Sequence, residues 1–180
     1  MKKLVKLFLC GLLIVSALAA CTPKEDTNKG GNDQLVENID TTTVGGLMHK
    51  AFMTYTTANT GKTAFEIAEE LATTEGLPFA GLAMEIEEGY LTGFDNAEIT
   101  GFESGAMFAP AIGVIPFVGY VFTLGEGADV ETFKTTLKEN ANLRWNICTA
   151  AEQMTVESNG NTVFFLMSPM AFEETQEEAE

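Results

Sequence analysis

The sequence predicts an α+β domain: two N-terminal helices, then a mostly antiparallel sheet with one further helix packed on it. Three observations carry this. Apolar residues recur at helical spacing from Val44 to Leu71. From Pro78 onward the pattern becomes short strand-like runs separated by Gly, Asn and Asp. One more helical stretch, beginning at Asp129, interrupts those runs before a hairpin signal at Asn159-Gly160.

Each element has its own reason. Val44, Leu47, Met48, Ala51, Phe52 and Tyr55 make one face of an amphipathic helix. Thr63 and Glu66 have capping-box spacing, in which each side chain satisfies the other residue's orphan backbone N–H. Ala64, Ile67, Ala68 and Leu71 share a face of that second helix, and Gly76 and Pro78 mark its end. Residues 78–94 and 97–108 read as strands joined by a turn around Asp95-Asn96. LTGF at 91–94 and ITGF at 99–102 echo each other, which suggests paired or bulged strand ends.

Residues 105–125 carry no charge, yet Pro110, Pro116 and four glycines oppose a membrane-spanning helix. The flanking charges, Glu103 and Glu126, are acidic where a stop-transfer segment would be basic. A loop and then a buried strand, about Ile115 to Leu124, is expected. Asp129 suits an N-cap, Glu131 favours the positive helix end, and Val130, Phe133 and Leu137 form the buried stripe. LRWNIC at 143–148 then reads as a strand with Leu143, Trp145 and Ile147 on one face. Val163 to Met167, five apolar residues in a row, suit a strand covered on both sides. The order α-α-β-β-β-α-β-β suggests a ferredoxin-like or cystatin-like sandwich.

The chain opens MKKLVKLFLCGLLIVSALAACTPKED. Lys2, Lys3 and Lys6 precede a short apolar run, and small residues lead to a cysteine. A run this short followed by a small-residue site reads as an export signal rather than a spanning helix. Leu18-Ala19-Ala20-Cys21 resembles the lipobox of bacterial lipoproteins. That resemblance implies removal of residues 1–20, lipid on Cys21 and a chain held outside the cell membrane. Two or three acyl chains, palmitate among them, would make a stable anchor, since each buried methylene contributes about 0.8 kcal/mol. The competing reading is an ordinary secretory signal with a chance cysteine.

Residues 22–42 are polar and rich in Gly, Asn, Asp and Thr, as in a flexible tether reaching roughly 25 Å. Residues 43–170 would form a single domain, and residues 171–180, rich in glutamate, a disordered acidic tail. Loss of residues 1–20 leaves seven basic against 26 acidic residues, a formal net charge of −19. Such a surface argues against nucleic acid, whose phosphates require Lys and Arg clusters. It would also be repelled by an anionic bilayer, so lipid rather than charge would hold it there.

Each candidate site also has a plain structural reading. NLRWNICT holds the chain's one arginine, one tryptophan and the one cysteine left after Cys10 and Cys21 are spent. The plain reading makes Trp145 a core anchor, Arg144 the partner of a carboxylate and Cys148 an inert buried thiol. The sharper reading makes Cys148 a nucleophile, for which His49 is the one candidate base. Glu85, Glu87 and Glu88, with Asp95 and Glu98, could bind a cation or supply an acid/base pair, but read more simply as a solvated face. GEGAD at 125–129 lacks the lysine and glycine spacing of a phosphate loop. No catalytic residue, cofactor or metal site is assigned.

Residues 101–169 resemble small uncharacterised bacterial lipoproteins, through the PFVGYVF strand, the helix after it and NLRWNIC. The resemblance implies an extracytoplasmic lipid-anchored module and brings no catalytic residues with it. The expectation is a binding or accessory module at the cell envelope, meeting a protein or a small ligand. The alternative is an envelope hydrolase or thiol enzyme built on Cys148 or the Glu85/Glu87/Glu88 region. The mature chain is short for a two-lobed solute-binding protein.

Overall fold

The computed structural model describes residues 36–112 and 115–172. The expected signal segment, Cys21, most of the tether and the tail from residue 173 lie outside the described residues. Two capped helices come first. Helix α1, Val44–Ala58, starts where the Thr43 hydroxyl accepts the Gly46 N–H at 3.1 Å. Helix α2, Ala64–Ala72, has the reciprocal Thr63–Glu66 capping box. It stops at Ala72, before Gly76, because the Thr73 N–H turns back to the carbonyls of Glu70 and Leu71.

The strands follow: β1 Gly81–Ile86, β2 Gly89–Tyr90, β3 Glu98–Ile99, β4 Ser104–Pro110 and β5 Val118–Thr123. After helix α3, Val130–Asn140, come β6 Gln153–Asn159 and β7 Thr162–Ser168. Five strands form one antiparallel sheet in the order β1-β4-β5-β7-β6, and β2 and β3 pair separately. Because β7 runs against both β5 and β6, those two are parallel, and α3 is the crossover between them. Asp129 caps α3 as expected, its carboxylate accepting the Thr132 N–H at 3.0 Å.

Both faces of the sheet are covered. On one, Met48 and Phe52 of α1 and Ile67 and Leu71 of α2 pack on Phe108, Val121, Phe164 and Leu166. On the other, Phe94, Phe102, Phe133 and Leu137 pack on Tyr120, Phe122, Phe165 and Met167. The domain is thus α+β as predicted, with the two N-terminal helices on one face of the sheet and the further helix on the other. Phe172, expected at the start of the tail, packs edge-on against Phe79 with ring centroids 5.7 Å apart.

Several local expectations shift. The β6–β7 turn is centred on Gly160-Asn161, one residue later than expected, because Asn159 still pairs with Thr162. Gly160 has φ +57°, so the turn places positive φ at its first central residue, as a type II′ hairpin does. The tetrapeptide echo has a conformational meaning. Gly93 and Gly101 both adopt φ +94°, and each swings the next residue, Phe94 or Phe102, into the same core.

Candidate functional site

LRWNIC is not a strand. Residues 141–151 form an irregular loop held by hydrogen bonds that compete with any ladder. Asn142 is its keystone. Its N–H donates to the Gly93 carbonyl at 2.8 Å, and its own carbonyl accepts the Trp145 N–H at 3.1 Å. Its side chain accepts the Arg144 N–H at 2.8 Å and donates to the Asp95 carboxylate at 2.7 Å. Asp95, with φ +49°, is the one non-glycine residue with positive φ among the described residues, and this bond holds it against the loop. The Ala151 N–H closes the loop on the Leu143 carbonyl at 2.8 Å. From below, the Tyr120 hydroxyl donates to the Thr92 carbonyl at 2.8 Å. Burial pushes the Tyr120 phenol up, so it stays a neutral donor.

This clamp decides where the expected site residues go. Leu143 and Trp145 are half-buried against the second core, as the alternation predicted, but Ile147 is 100% exposed. Cys148 is exposed, not buried. The strand that would have buried it does not form, and its backbone N–H bonds instead to the Asn146 side chain at 3.3 Å. Arg144 is exposed, and the carboxylate partner expected for it is not found among the described residues. His49 lies on α1, across the sheet from this loop, half-buried beside Glu157. Burial holds its imidazole below its ordinary value, with Lys134 adding to the effect and Glu157 opposing it. The thiol and the one candidate base thus sit on opposite faces of the sheet.

The carboxylates also separate. Glu85 is exposed on β1, Glu87 lies past the strand's end, and the Glu88 carboxylate accepts the Gly101 N–H at 2.6 Å. Glu88 therefore pins the ITGF turn. Among the described residues no three acidic, His or Cys side chains gather as a metal site would require.

What the structure does bring together is a small cleft of mixed lining beside exposed apolar side chains. Under Trp145 lies a cleft of about 170 Å³, lined by Thr92, Met107, Ala109, Val118 and Asn146 among others. Met107 and Ala109 of β4 stand directly opposite Met84 and Leu82 of β1. Residues opposite one another in a ladder project to the same face. The cleft therefore runs on to the sheet edge as a shelf of Met84 and Leu82, which are 49% and 56% exposed. The same face is fully covered at β7, where Val163, Phe165 and Met167 are inaccessible. α3 and the loop cover β5, β7 and β6 but stop short of β1.

A second groove, about 500 Å³, lies over Leu47, Lys50, Ala51 and Tyr55 of α1 and the turn at Thr74–Gly76. It is a shallow furrow along one helix and has no edge strand beside it. The shelf was not visible in GLAMEI, since alternation alone would turn Leu82, Met84 and Ile86 inward together. Only Ile86 is so treated, packing beside Phe102 near Gly105.

Comparison with known proteins returns no matching family profile, curated protein or solved structure. No helix among the described residues is long and apolar enough to cross a membrane.

Proposed function

We propose that this chain is a lipid-anchored binding module of the cell envelope that meets its partner through the shelf formed by Leu82, Met84 and the Trp145 cleft. The observation that carries the binding half is the apolar shelf itself. Two large side chains stand open beside a cleft containing the chain's one tryptophan, where the same face is inaccessible along β7. Singly exposed apolar residues need no explanation, but a contiguous run of them along a rimmed cleft marks a contact surface. The anchoring half rests on Leu18-Ala19-Ala20-Cys21 after a basic and apolar leader.

Both halves have direct tests. The full chain expressed in a bacterium should incorporate a labelled fatty acid and fractionate with membranes. Cys21→Ala should lose the label, and a chain beginning at residue 22 should lose it and enter the soluble fraction; an unlabelled, soluble parent chain would overturn the anchoring. For binding, a neutral apolar dye such as Nile red should bind the chain beginning at residue 22 saturably. The further pair Leu82→Lys and Met84→Lys should abolish that binding without lowering the melting temperature. Equal dye binding by the lysine variant would remove the shelf from the account.

A thiol enzyme is the second reading, favoured by one observation, the exposure of Cys148. A nucleophilic cysteine also needs a base or a cation to generate its thiolate. With His49 across the sheet, the loop offers exposure without that activation.

A further inference from the structure

The geometry points to an extended basic segment as the occupant of this shelf: a strand of alternating Lys or Arg and apolar residues that adds to the free edge of β1. This deepens the binding reading above and rests on it. Three observations lead to it.

First, among the described residues β1 is paired on one side only. The opposite edge strand, β6, is packed by α1 and α3, one on each face, whereas β1 has α2 on one face and an open shelf on the other. An edge strand presents unpaired N–H and C=O groups, and proteins usually blunt it with Pro, Lys, a bulge or a cover. Beyond the single charge of Glu85, β1 has none of these. Residues 82–86 contain no Pro or Lys, and its register with β4 runs one-to-one from Gly81↔Pro110 to Ile86↔Gly105 without a bulge.

Second, the side chains flanking that edge suit alternation. Leu82 and Met84 offer apolar contact on the shelf face, and Glu85 stands on the other face at the same edge. An added strand with apolar residues on one face and cations on the other would meet both. Backbone pairing supplies affinity in such strand addition, and the alternate side chains supply selectivity.

Third, charge separates a basic strand from a second copy of this chain. Glu85 lies on β1 and Glu87 just past its end, and the whole chain carries a formal charge of −16. Two copies meeting edge to edge would bring these carboxylates together, so self-pairing is opposed where a cationic strand is attracted.

The probe is an acetylated, amidated seven-residue peptide alternating lysine and valine, added at low salt to the chain beginning at residue 22. Trp145 emission reports the shelf, and backbone hydrogen exchange reports β1. Saturable binding is expected, with protection gained at residues 82–86 and affinity falling as salt rises. A version with proline at its centre should bind roughly tenfold more weakly or worse, because it cannot complete the ladder. A glutamate–valine version should not bind. Glu85→Lys with Glu87→Lys should invert the preference, taking the glutamate peptide and refusing the lysine one.

Equal binding of the proline peptide would overturn strand addition, and equal binding of the glutamate peptide would overturn the charge argument. A concentration-dependent dimer protected at β1 would assign the edge to a second copy. Flotation with phosphatidylcholine vesicles, lost on Met84→Lys, would assign it to a bilayer. Dye binding at the shelf with no response to any peptide would sink this inference and leave the binding module standing; loss of both would end both.

Discussion

The two edges of the sheet are built differently. β6 has a helix against each face, and its partner β7 is inaccessible from Val163 to Met167. β1 is as apolar in composition as many core strands, yet Leu82 and Met84 remain about half exposed. The difference follows from where the covering elements end. α3 is the crossover from β5 to β6, so it and the loop after it lie over β5, β7 and β6. No crossover connection reaches β1, since β1 and β4 are joined through the small β2–β3 pair and its turns. Topology, more than residue type, leaves one apolar strand sealed and the other open.

The largest expected contrast is in stability. Leu166→Ala in β7 should cost about 3–5 kcal/mol, as a buried leucine truncated in a close-packed core does. Leu82→Ala should change unfolding by less than about 0.5 kcal/mol, because its site is already wet. Chemical denaturation of both variants measures the pair. Similar losses would mean the shelf is covered in solution.

The loop beside the shelf gives the next effect. Asn142→Ala removes the Arg144 N–H acceptor and the Asp95 partner, and should destabilise by about 1 kcal/mol. It should also red-shift Trp145 emission as the loop loosens, whereas Leu82→Ala should leave the folded baseline near its parent value. An unchanged spectrum in Asn142→Ala would show that the loop is held by packing alone.

A smaller effect appears with pH at the β6 edge. Burial lowers the His49 pKa, so the unfolded chain binds its proton more readily than the folded one. The contribution of neutral His49 is fully present above its unfolded value, about 6.5, and fades as pH falls through the lower folded value. The melting temperature of the parent should therefore drop more between pH 7.5 and 5.5 than that of His49→Gln. Identical slopes would place His49 in water. The smallest expected effect is at Cys148, which should alkylate at neutral pH at the rate of an exposed thiol without altering the melting temperature. Slow labelling would return it to the buried role first expected.

Much of the fold was legible because its signals are local. The Thr63–Glu66 box, the Asp129 cap and the run Val163–Met167 each state their structure within a few residues. The site was not. LRWNIC alternates as a strand does, but Asn142 spends its side chain and backbone on Asp95, Gly93, Arg144 and Trp145, which fixes a loop. Two of those partners are nearly fifty residues distant, and Asn142 itself has no motif to announce it. Likewise the pattern of GLAMEI says which residues share a face and not whether anything will cover that face. Only the strand order, set by pairings far apart in sequence, decides that.

The most direct test of the open edge is methionine oxidation by dilute peroxide, read residue by residue on the chain beginning at residue 22. Met84 and Met170 are exposed, and Met48 and Met167 are inaccessible. The account predicts fast oxidation of the first two and protection of the last two. Adding the lysine–valine peptide should then slow Met84 while leaving Met170 unchanged. Met84 already protected in the free protein, or equal slowing of Met84 and Met170, would contradict it.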